Sequence, residues 1–103
     1  DLPARSGLGS SSAFTVGLVH ALKALDGKRA SKLELAKEAI HIEQNVIGEN
    51  VGSQDQVSVA YGGLNRIDFH RDDSFTVEPV ITTGDRVQLL HSHLMLVGSV
   101  RCV

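Results

Sequence analysis

A loop near the start of the chain has the residue types of a phosphate-binding segment. Gly7, Leu8 and Gly9 are followed directly by three serines, Ser10 to Ser12, and then by an apolar stretch. Glycine lets a phosphate approach the backbone without meeting a side chain, and the N–H groups at a helix start attract anions. The loop therefore predicts an anion site, with serine hydroxyls as further donors or metal ligands. One of the serines alone would also be explained as a helix N-cap.

Three common catalytic loops do not fit this segment. A Walker loop would need a Gly-Lys-Ser/Thr sequence, and the dinucleotide fingerprint Gly-x-Gly-x-x-Gly would need a glycine at its sixth position, where Ser12 stands, and a surrounding βαβ unit. A hydrolase nucleophile elbow would need a closing glycine where Ala13 stands.

Glu43 is an acid within an apolar helix face. Ser31 and Glu34 have the spacing of a capping box, which predicts a helix from about Lys32, and Gly48 ends it. At about 100° per residue, its apolar side chains share one side, and Glu43 lies among them. A buried carboxylate needs compensation, so this position predicts either a pair with an Arg or Lys or a metal ligand. The apolar residues are Leu33, Leu35, Ala36, Ala39, Ile40, Ile42, Val46 and Ile47.

Asp55 lies in a glycine-containing loop, Gly52 to Gln56, just before a short helix predicted through Ala60. By itself it has the residue type of a helix N-cap. With a phosphate loop and a metal-type acid, it also has the place of a group that orients or deprotonates an attacking hydroxyl. The three features together predict phosphoryl transfer.

The remaining elements follow from periodicity. A largely buried helix is predicted from Ala13 to Leu25, ended by Gly27. Strands are predicted at 64–69 and 75–81 around a turn at 72–74, with a last strand from about Leu89 to Val97.

Histidine and cysteine add little chemistry. His91 and His93 would share one face of the last predicted strand, but no third metal ligand is near in sequence. A single cysteine, Cys102, excludes an internal disulfide and a thiolate zinc cluster, and it is compatible with a reducing cytosol.

The composition and net charge of the chain argue against some classes of binding partner. A net charge of -2, four aromatic residues and no Trp argue against nucleic acid as a partner. No apolar run approaches the roughly 20 residues of a membrane span, so no membrane partner and a cytoplasmic location are expected. A chain of 103 residues makes about one domain. Because it starts at Asp1 and ends in apolar residues, we expect a piece of a larger protein.

The loop and the two acids resemble the GHMP kinases, the family of galactokinase, homoserine kinase and mevalonate kinase. The family's motif Pro-x-x-x-Gly-Leu-(Gly/Ser)-Ser-Ser is matched at Pro3, Gly7, Leu8, Gly9, Ser10 and Ser11. The segments 10–18, 42–43, 52–56 and 60–65 look like the D-glycero-D-manno-heptose 7-phosphate kinase branch, which phosphorylates O1 of the sugar. The likeness extends from Asp1 to about Val80.

The resemblance implies an ATP-dependent sugar kinase that uses Mg²⁺. It implies that the segment Gly7 to Ser12 binds the ATP phosphates, that Ser11 and Glu43 hold Mg²⁺, and that Asp55 is the catalytic base. Gly52 and Gln54 would join Asp55 in binding a small sugar or sugar phosphate. The oligomeric state is left open, a homo-oligomer included.

Two residues depart from the family pattern. Arg5 replaces a small residue inside the loop, which affects its expected geometry, and Ser53 stands where this branch often has Lys, which removes a cation near the expected base.

The family's sugar-binding motif and its glycine-rich third motif have no counterpart, so the isolated chain is expected to be inactive. Another GHMP kinase, of the fucose, galactose or mevalonate type, and a non-catalytic nucleotide-binding or structural fragment remain as alternatives.

The expected fold is α+β, with two layers in which helices pack on a mostly antiparallel sheet. Residues 1–80 would form part of the N-terminal, ATP-binding domain. Residues 81–103 would begin the following strand region or a C-terminal domain.

Overall fold

Residues 8–97 fold into helices followed by a strand pair and a further helix, as described by a computed structural model of the chain. The predicted α+β class is confirmed. The predictions for Pro3, Arg5, Gly7 and Cys102 concern residues that lie outside the described part of the chain. The elements are α1 (Ser10–Leu25), α2 (Lys32–His41), a π-helical segment (Ile42–Val46), α3 (Gln54–Tyr61), β1 (Asn65–Phe69), β2 (Phe75–Pro79) and α4 (Gly84–His93).

Helix α1 begins three residues earlier than predicted, at Ser10. Its N-cap is Gly9, which has a left-handed backbone with φ 74°, and no side chain caps the helix. The three serines are therefore the first three helical residues, and the N-cap explanation for them is wrong. At the other end Gly27, with φ 69°, terminates the helix as expected.

Burial on α1 is restricted to one stripe. Only Ser12, Val16 and Val19 are buried along the helix, whereas Phe14 is 70% exposed and Leu25 is 85% exposed. The prediction of a largely buried helix is wrong for the described part of the chain, because neighbouring helices contact a single face of α1.

The core joins the first three helices. Val16 and Val19 of α1 pack with Leu35 and Ala39 of α2, and Val57 of α3 is fully buried. The predicted capping box starts α2: the Ser31 hydroxyl accepts from the Glu34 N–H at 3.1 Å, and the Glu34 carboxylate accepts from the Ser31 N–H at 3.2 Å.

The end of the second helix widens into a π-helical turn. The Ile47 N–H donates to the Ile42 carbonyl at 2.8 Å, five residues back, and the Glu49 N–H donates to the Glu43 carbonyl at 2.9 Å. Such π turns are rare and often occur at functional sites. Here the turn contains Glu43.

The described chain divides into two compact units, with the first ending at Asn65. In the second unit β1 and β2 form the predicted antiparallel pair, and β2 ends at Pro79, two residues before the predicted end. In the turn, the Asp72 carboxylate accepts from the Ser74 hydroxyl at 2.6 Å and from its N–H at 3.1 Å. These bonds lower the pKa of Asp72.

The last predicted strand is wrong, because residues 84–93 form helix α4. The Thr83 hydroxyl caps this helix by accepting from the Arg86 N–H at 3.4 Å. His91 and His93 are thus on a helix, where residues two apart are separated by about 200° and do not share a face. None of the helices within residues 8–97 has the length and apolar character of a membrane span.

Candidate functional site

Glu43 is 2% exposed and is held by three neutral donors. The Ser12 hydroxyl donates to its Oε2 at 3.1 Å, the Thr15 hydroxyl donates to its Oε1 at 3.1 Å, and the Gln56 amide donates to Oε2 as well. Within residues 8–97 no Arg or Lys pairs with this carboxylate. Of the two predicted ways to compensate Glu43, the pair with an Arg or Lys is not found among these residues, and hydroxyl and amide donors bind the carboxylate instead.

These contacts tie three elements together. Ser12 and Thr15 are three residues apart on α1 and so face the same neighbour, Glu43 lies in the π-helical segment, and Gln56 is in the first turn of α3. The Glu43 carboxylate is thus the point at which the start of α1 and the start of α3 are joined.

The neighbouring Gln44 holds the loop that leads into α3. Its amide nitrogen lies 3.0 Å from the Val51 carbonyl, 3.3 Å from the Gly52 carbonyl and 3.2 Å from the Ser53 hydroxyl, and its two N–H groups are shared among these three acceptors. Ser53, which from the resemblance stands where a Lys is often expected, therefore contributes to holding this loop.

Asp55 is the second residue of α3 and is exposed. The N-cap of α3 is Ser53, so the N-cap explanation for Asp55 is wrong. A Cβ added to Gly9 would lie 3.6 Å from Cγ and 3.6 Å from Oδ2 of Asp55. The Asp55 carboxylate therefore lies beside the glycine that starts α1.

The start of α1 has the features of an anion site. The first N–H groups of a helix have no acceptor within the helix, and the first helical bond here runs from the Ala13 N–H to the Gly9 carbonyl at 2.9 Å. The N–H groups of Ser10, Ser11 and Ser12 precede it and are available to an anion. Leu8, before Gly9, is 40% exposed.

The other predicted site residues differ in their exposure and in their hydrogen bonds. Ser11, predicted to share a metal with Glu43, is exposed, and its carbonyl lies 3.1 Å from the Thr15 hydroxyl, where it shares that one proton with Oε1 of Glu43. The Gly52 carbonyl accepts from both Gln44 and Gln56, which uses its two lone pairs. Gln54 is exposed at the first position of α3.

Sequence reasoning missed three polar residues of this network, namely Thr15, Gln44 and Gln56. Thr15 had a detectable signal, since it is polar and lies three residues after Ser12, within a mainly apolar segment. Gln56 is 1% exposed, and its place beside Asp55 in the sequence was a weaker signal. No group of three or more His, Cys, Asp or Glu within residues 8–97 is arranged to hold a metal.

The model of the GHMP kinases N terminal domain matches residues 1–63, more than half of the chain. The chain belongs to the GHMP kinase family. The GHMP match covers the glycine loop, Glu43 and Asp55, and it ends two residues before the boundary between the two compact units at Asn65.

Two curated kinases are similar to the chain in sequence. The chain is 35% identical over 80 residues to a D-glycero-alpha-D-manno-heptose 7-phosphate kinase of Campylobacter jejuni, covering 78% of this chain and 24% of that protein. It is 39% identical over 71 residues to a mevalonate kinase of Methanothermobacter thermautotrophicus, covering 69% of this chain and 23% of that protein. The chain thus spans about a quarter of the length of these kinases.

A solved structure has the same fold. The crystal structure of a D-glycero-D-manno-heptose 1-phosphate kinase from Bacteroides thetaiotaomicron superposes with a TM-score of 0.84 at 34% identity, covering 89% of this chain and 30% of that chain. The GHMP kinase fold extends in this comparison over most of the chain.

Proposed function

We propose that the full-length protein is an ATP-dependent kinase that transfers the γ-phosphoryl group to a sugar hydroxyl. The observation that supports it best is the convergence at the start of α1: the Asp55 carboxylate lies 3.6 Å from a Cβ built on Gly9, and Glu43 is bonded to the first turns of the same helix. A phosphate bound at the start of α1 would therefore lie near two acids, the exposed Asp55 and the buried Glu43.

The nucleotide phosphates would bind at the start of α1. Gly7 to Ser12 supply the segment, and the N–H groups of the first helical turn supply donors where the helix dipole favours negative charge. The glycine at position 9 leaves room between the backbone and Asp55 for a phosphate oxygen to approach.

The donor set fits Mg²⁺, which usually keeps several waters and takes one or two carboxylates plus substrate phosphates. A carboxylate oxygen has two acceptor sites. Oε2 of Glu43 accepts hydrogen bonds from Ser12 and Gln56, whereas Oε1 accepts one only from Thr15 among the described residues. Glu43 Oε1 and the exposed Ser11 hydroxyl would hold the ion, which supplies charge neutralisation to the phosphates when bound.

Asp55 would accept the proton of the attacking hydroxyl. In this transfer the sugar oxygen bonds to the γ-phosphorus, the bond to the β–γ bridging oxygen breaks, and ADP leaves. Within residues 8–97 no hydrogen bond or ion pair involves the Asp55 carboxylate, so it is available to a substrate. The exposed Gln54 and the N–H of Gly52 flank it as substrate contacts.

The proposed acceptor is O1 of heptose 7-phosphate, in the cytoplasm. The supports are the motif match to that branch and the two relatives named for heptose phosphates. One of these two proteins is named for heptose 7-phosphate and the other for heptose 1-phosphate. Because a mevalonate kinase is also similar to the chain, substrates of other GHMP kinases remain as alternatives.

A substrate panel tests the proposed function. The full-length protein with Mg-ATP would be offered heptose 7-phosphate, heptose 1-phosphate, fucose, galactose and mevalonate, with ADP release as the measurement and ³¹P NMR to locate the new phosphate. We expect the highest kcat/KM with heptose 7-phosphate. Preference for another acceptor would replace the substrate assignment, and Mg-ATP binding without turnover on any acceptor would favour a non-catalytic nucleotide-binding protein.

Substituting Gly9 tests the phosphate-binding role of the loop. Gly9→Ala places a side chain at φ 74°, beside Asp55, where a left-handed backbone costs about 1 to 2 kcal/mol. We expect this loss of stability together with a raised KM for ATP. Gly27→Ala is the matched control, because it has φ 69° with nothing within 4 Å. Gly27→Ala should lose similar stability in urea unfolding but keep the wild-type KM for ATP. An equal rise of the KM for ATP in both variants would count against a phosphate site at Gly9.

A further inference from the structure

We propose that Gln56 is a positioning residue that fixes the Glu43 carboxylate in one orientation and couples it to the loop before Asp55. The proposal rests on the proposed kinase function. It is carried by a single side chain whose amide nitrogen donates both to Oε2 of Glu43 and to the Gly52 carbonyl, the latter at 3.0 Å.

The donors of Gln56 are fully committed. A carboxamide has two N–H donors, and here one goes to an acid and the other to the backbone of the loop. Turning the amide over would place its oxygen against the Glu43 carboxylate and the Gly52 carbonyl, so that acceptors would face acceptors. The orientation of Gln56 is therefore determined by its two partners.

The other end of the same amide is without a partner. Oε1 of Gln56 is buried and has no hydrogen-bond partner among the described residues, in a side chain that is 1% exposed. Buried polar atoms are normally paired because an unpaired acceptor is destabilising. Packing alone does not explain a glutamine at position 56, since an apolar side chain of similar volume would fill this space without leaving an unpaired acceptor.

The consequence is a difference between the two oxygens of Glu43. Ser12 and Gln56 both donate to Oε2, whereas Oε1 receives only Thr15 among the described residues. Gln56 therefore leaves Oε1 as the oxygen with capacity for a cation. Because the same amide also donates to the Gly52 carbonyl, Gln56 links this carboxylate to the loop that leads into α3.

Loss of the Gln56 amide should weaken metal binding more than folding. Residues that orient a metal ligand typically contribute about 10- to 100-fold to metal affinity or activity. In the full-length protein with a non-hydrolysable ATP analogue, we expect Gln56→Met to weaken Mn²⁺ binding, measured by EPR, by about this factor. Its urea unfolding should show a smaller loss, because Oε2 of Glu43 keeps the Ser12 donor, the Gly52 carbonyl keeps Gln44, and the unpaired Oε1 of Gln56 is removed as well.

The control is Gln88→Met, the same change at an exposed position of α4, which should leave Mn²⁺ affinity unchanged. Wild-type Mn²⁺ affinity in a folded Gln56→Met variant would overturn the positioning role while leaving the kinase proposal in place. Absence of Mn²⁺ binding in the wild type would overturn both.

A measurement on the wild-type protein covers the case in which Gln56→Met does not fold. In ¹⁵N-labelled protein, both side-chain N–H signals of Gln56 should be protected from exchange, and both should shift when Mg²⁺ and the ATP analogue are added. Rapid exchange, or signals that do not respond while the nucleotide is bound, would overturn the proposal.

Discussion

Asp55→Asn in the full-length protein is expected to lower kcat by about 10² to 10⁴, the usual contribution of a positioned base, while Mg-ATP binding is retained. Asn has the shape of Asp but cannot take a proton from the attacking hydroxyl. The Asp55 carboxylate lies beside Gly9, at the expected phosphate site, so removing its negative charge does not oppose nucleotide binding. Single-turnover kinetics and calorimetry with Mg-ATP would separate the two effects.

The size of the effect distinguishes catalysis from a structural role. Asp55 lies in the first turn of α3, where an acid stabilises a helix by about 0.3 to 1 kcal/mol. The expected loss of rate corresponds to about 3 to 5 kcal/mol at 1.36 kcal/mol per factor of ten. A role limited to the helix dipole would therefore give a small change in unfolding and almost none in rate.

Asp85→Asn is the matched control for this variant. Asp85 is the second residue of α4 and is exposed, so the substitution removes the same charge at the same helical position. We expect the same small loss of stability and full activity. If Asp55→Asn keeps more than about a tenth of wild-type turnover, which is outside the range for a base, another group takes the proton.

The position of Glu43 was predictable from sequence because it interrupts a local pattern. Glu43 is polar within an apolar stripe, and its burial follows from periodicity alone. The donors that compensate it were not predictable, because Ser12 and Gln56 are 31 and 13 residues away in the chain. Only the packing of α1, α2 and α3 brings them to the same carboxylate.

The errors in the fold have local causes. Residues 89–97 are rich in apolar side chains, which suggested a strand, but Thr83 provides a helix N-cap and overrides that tendency over 84–93. The serines suggested an N-cap at the start of α1, whereas Gly9 adopts the capping position with a left-handed backbone. The π-helical turn at Ile42–Val46 has no signature in residue types, since it depends on bonds to Ile42 and Glu43.

The second large effect is expected at Glu43, where two substitutions should behave differently. In Glu43→Gln, the amide oxygen can take the place of Oε2 and accept from Ser12 and Gln56. The new NH₂ group then faces Thr15, whose hydroxyl can accept from it while donating to the Ser11 carbonyl at 3.1 Å. The network stays satisfied, so the fold should be retained.

Glu43→Gln nevertheless removes the oxygen that is free to bind a cation. Partners that merely orient a metal ligand contribute about 10- to 100-fold, so loss of the ligand itself should lower kcat/KM at least about 100-fold. A Mg²⁺ titration of the rate and urea unfolding would measure the two properties. Glu38→Gln, which breaks only the Lys23–Glu38 pair at 2.6 Å on the surface of α2, is the control for the same chemical change.

Glu43→Leu should lose stability as well as activity. It leaves the Gln56 amide, the Ser12 hydroxyl and the Thr15 hydroxyl without their acceptor; an unsatisfied buried group costs about 1 to 3 kcal/mol. The hydroxyls can turn to other acceptors, but the Gln56 amide is fixed by the Gly52 carbonyl and bears most of the penalty. If Glu43→Gln instead keeps full Mg²⁺-dependent activity while Glu43→Leu unfolds, Glu43 serves to join α1 and α3, and the metal must be held by other groups.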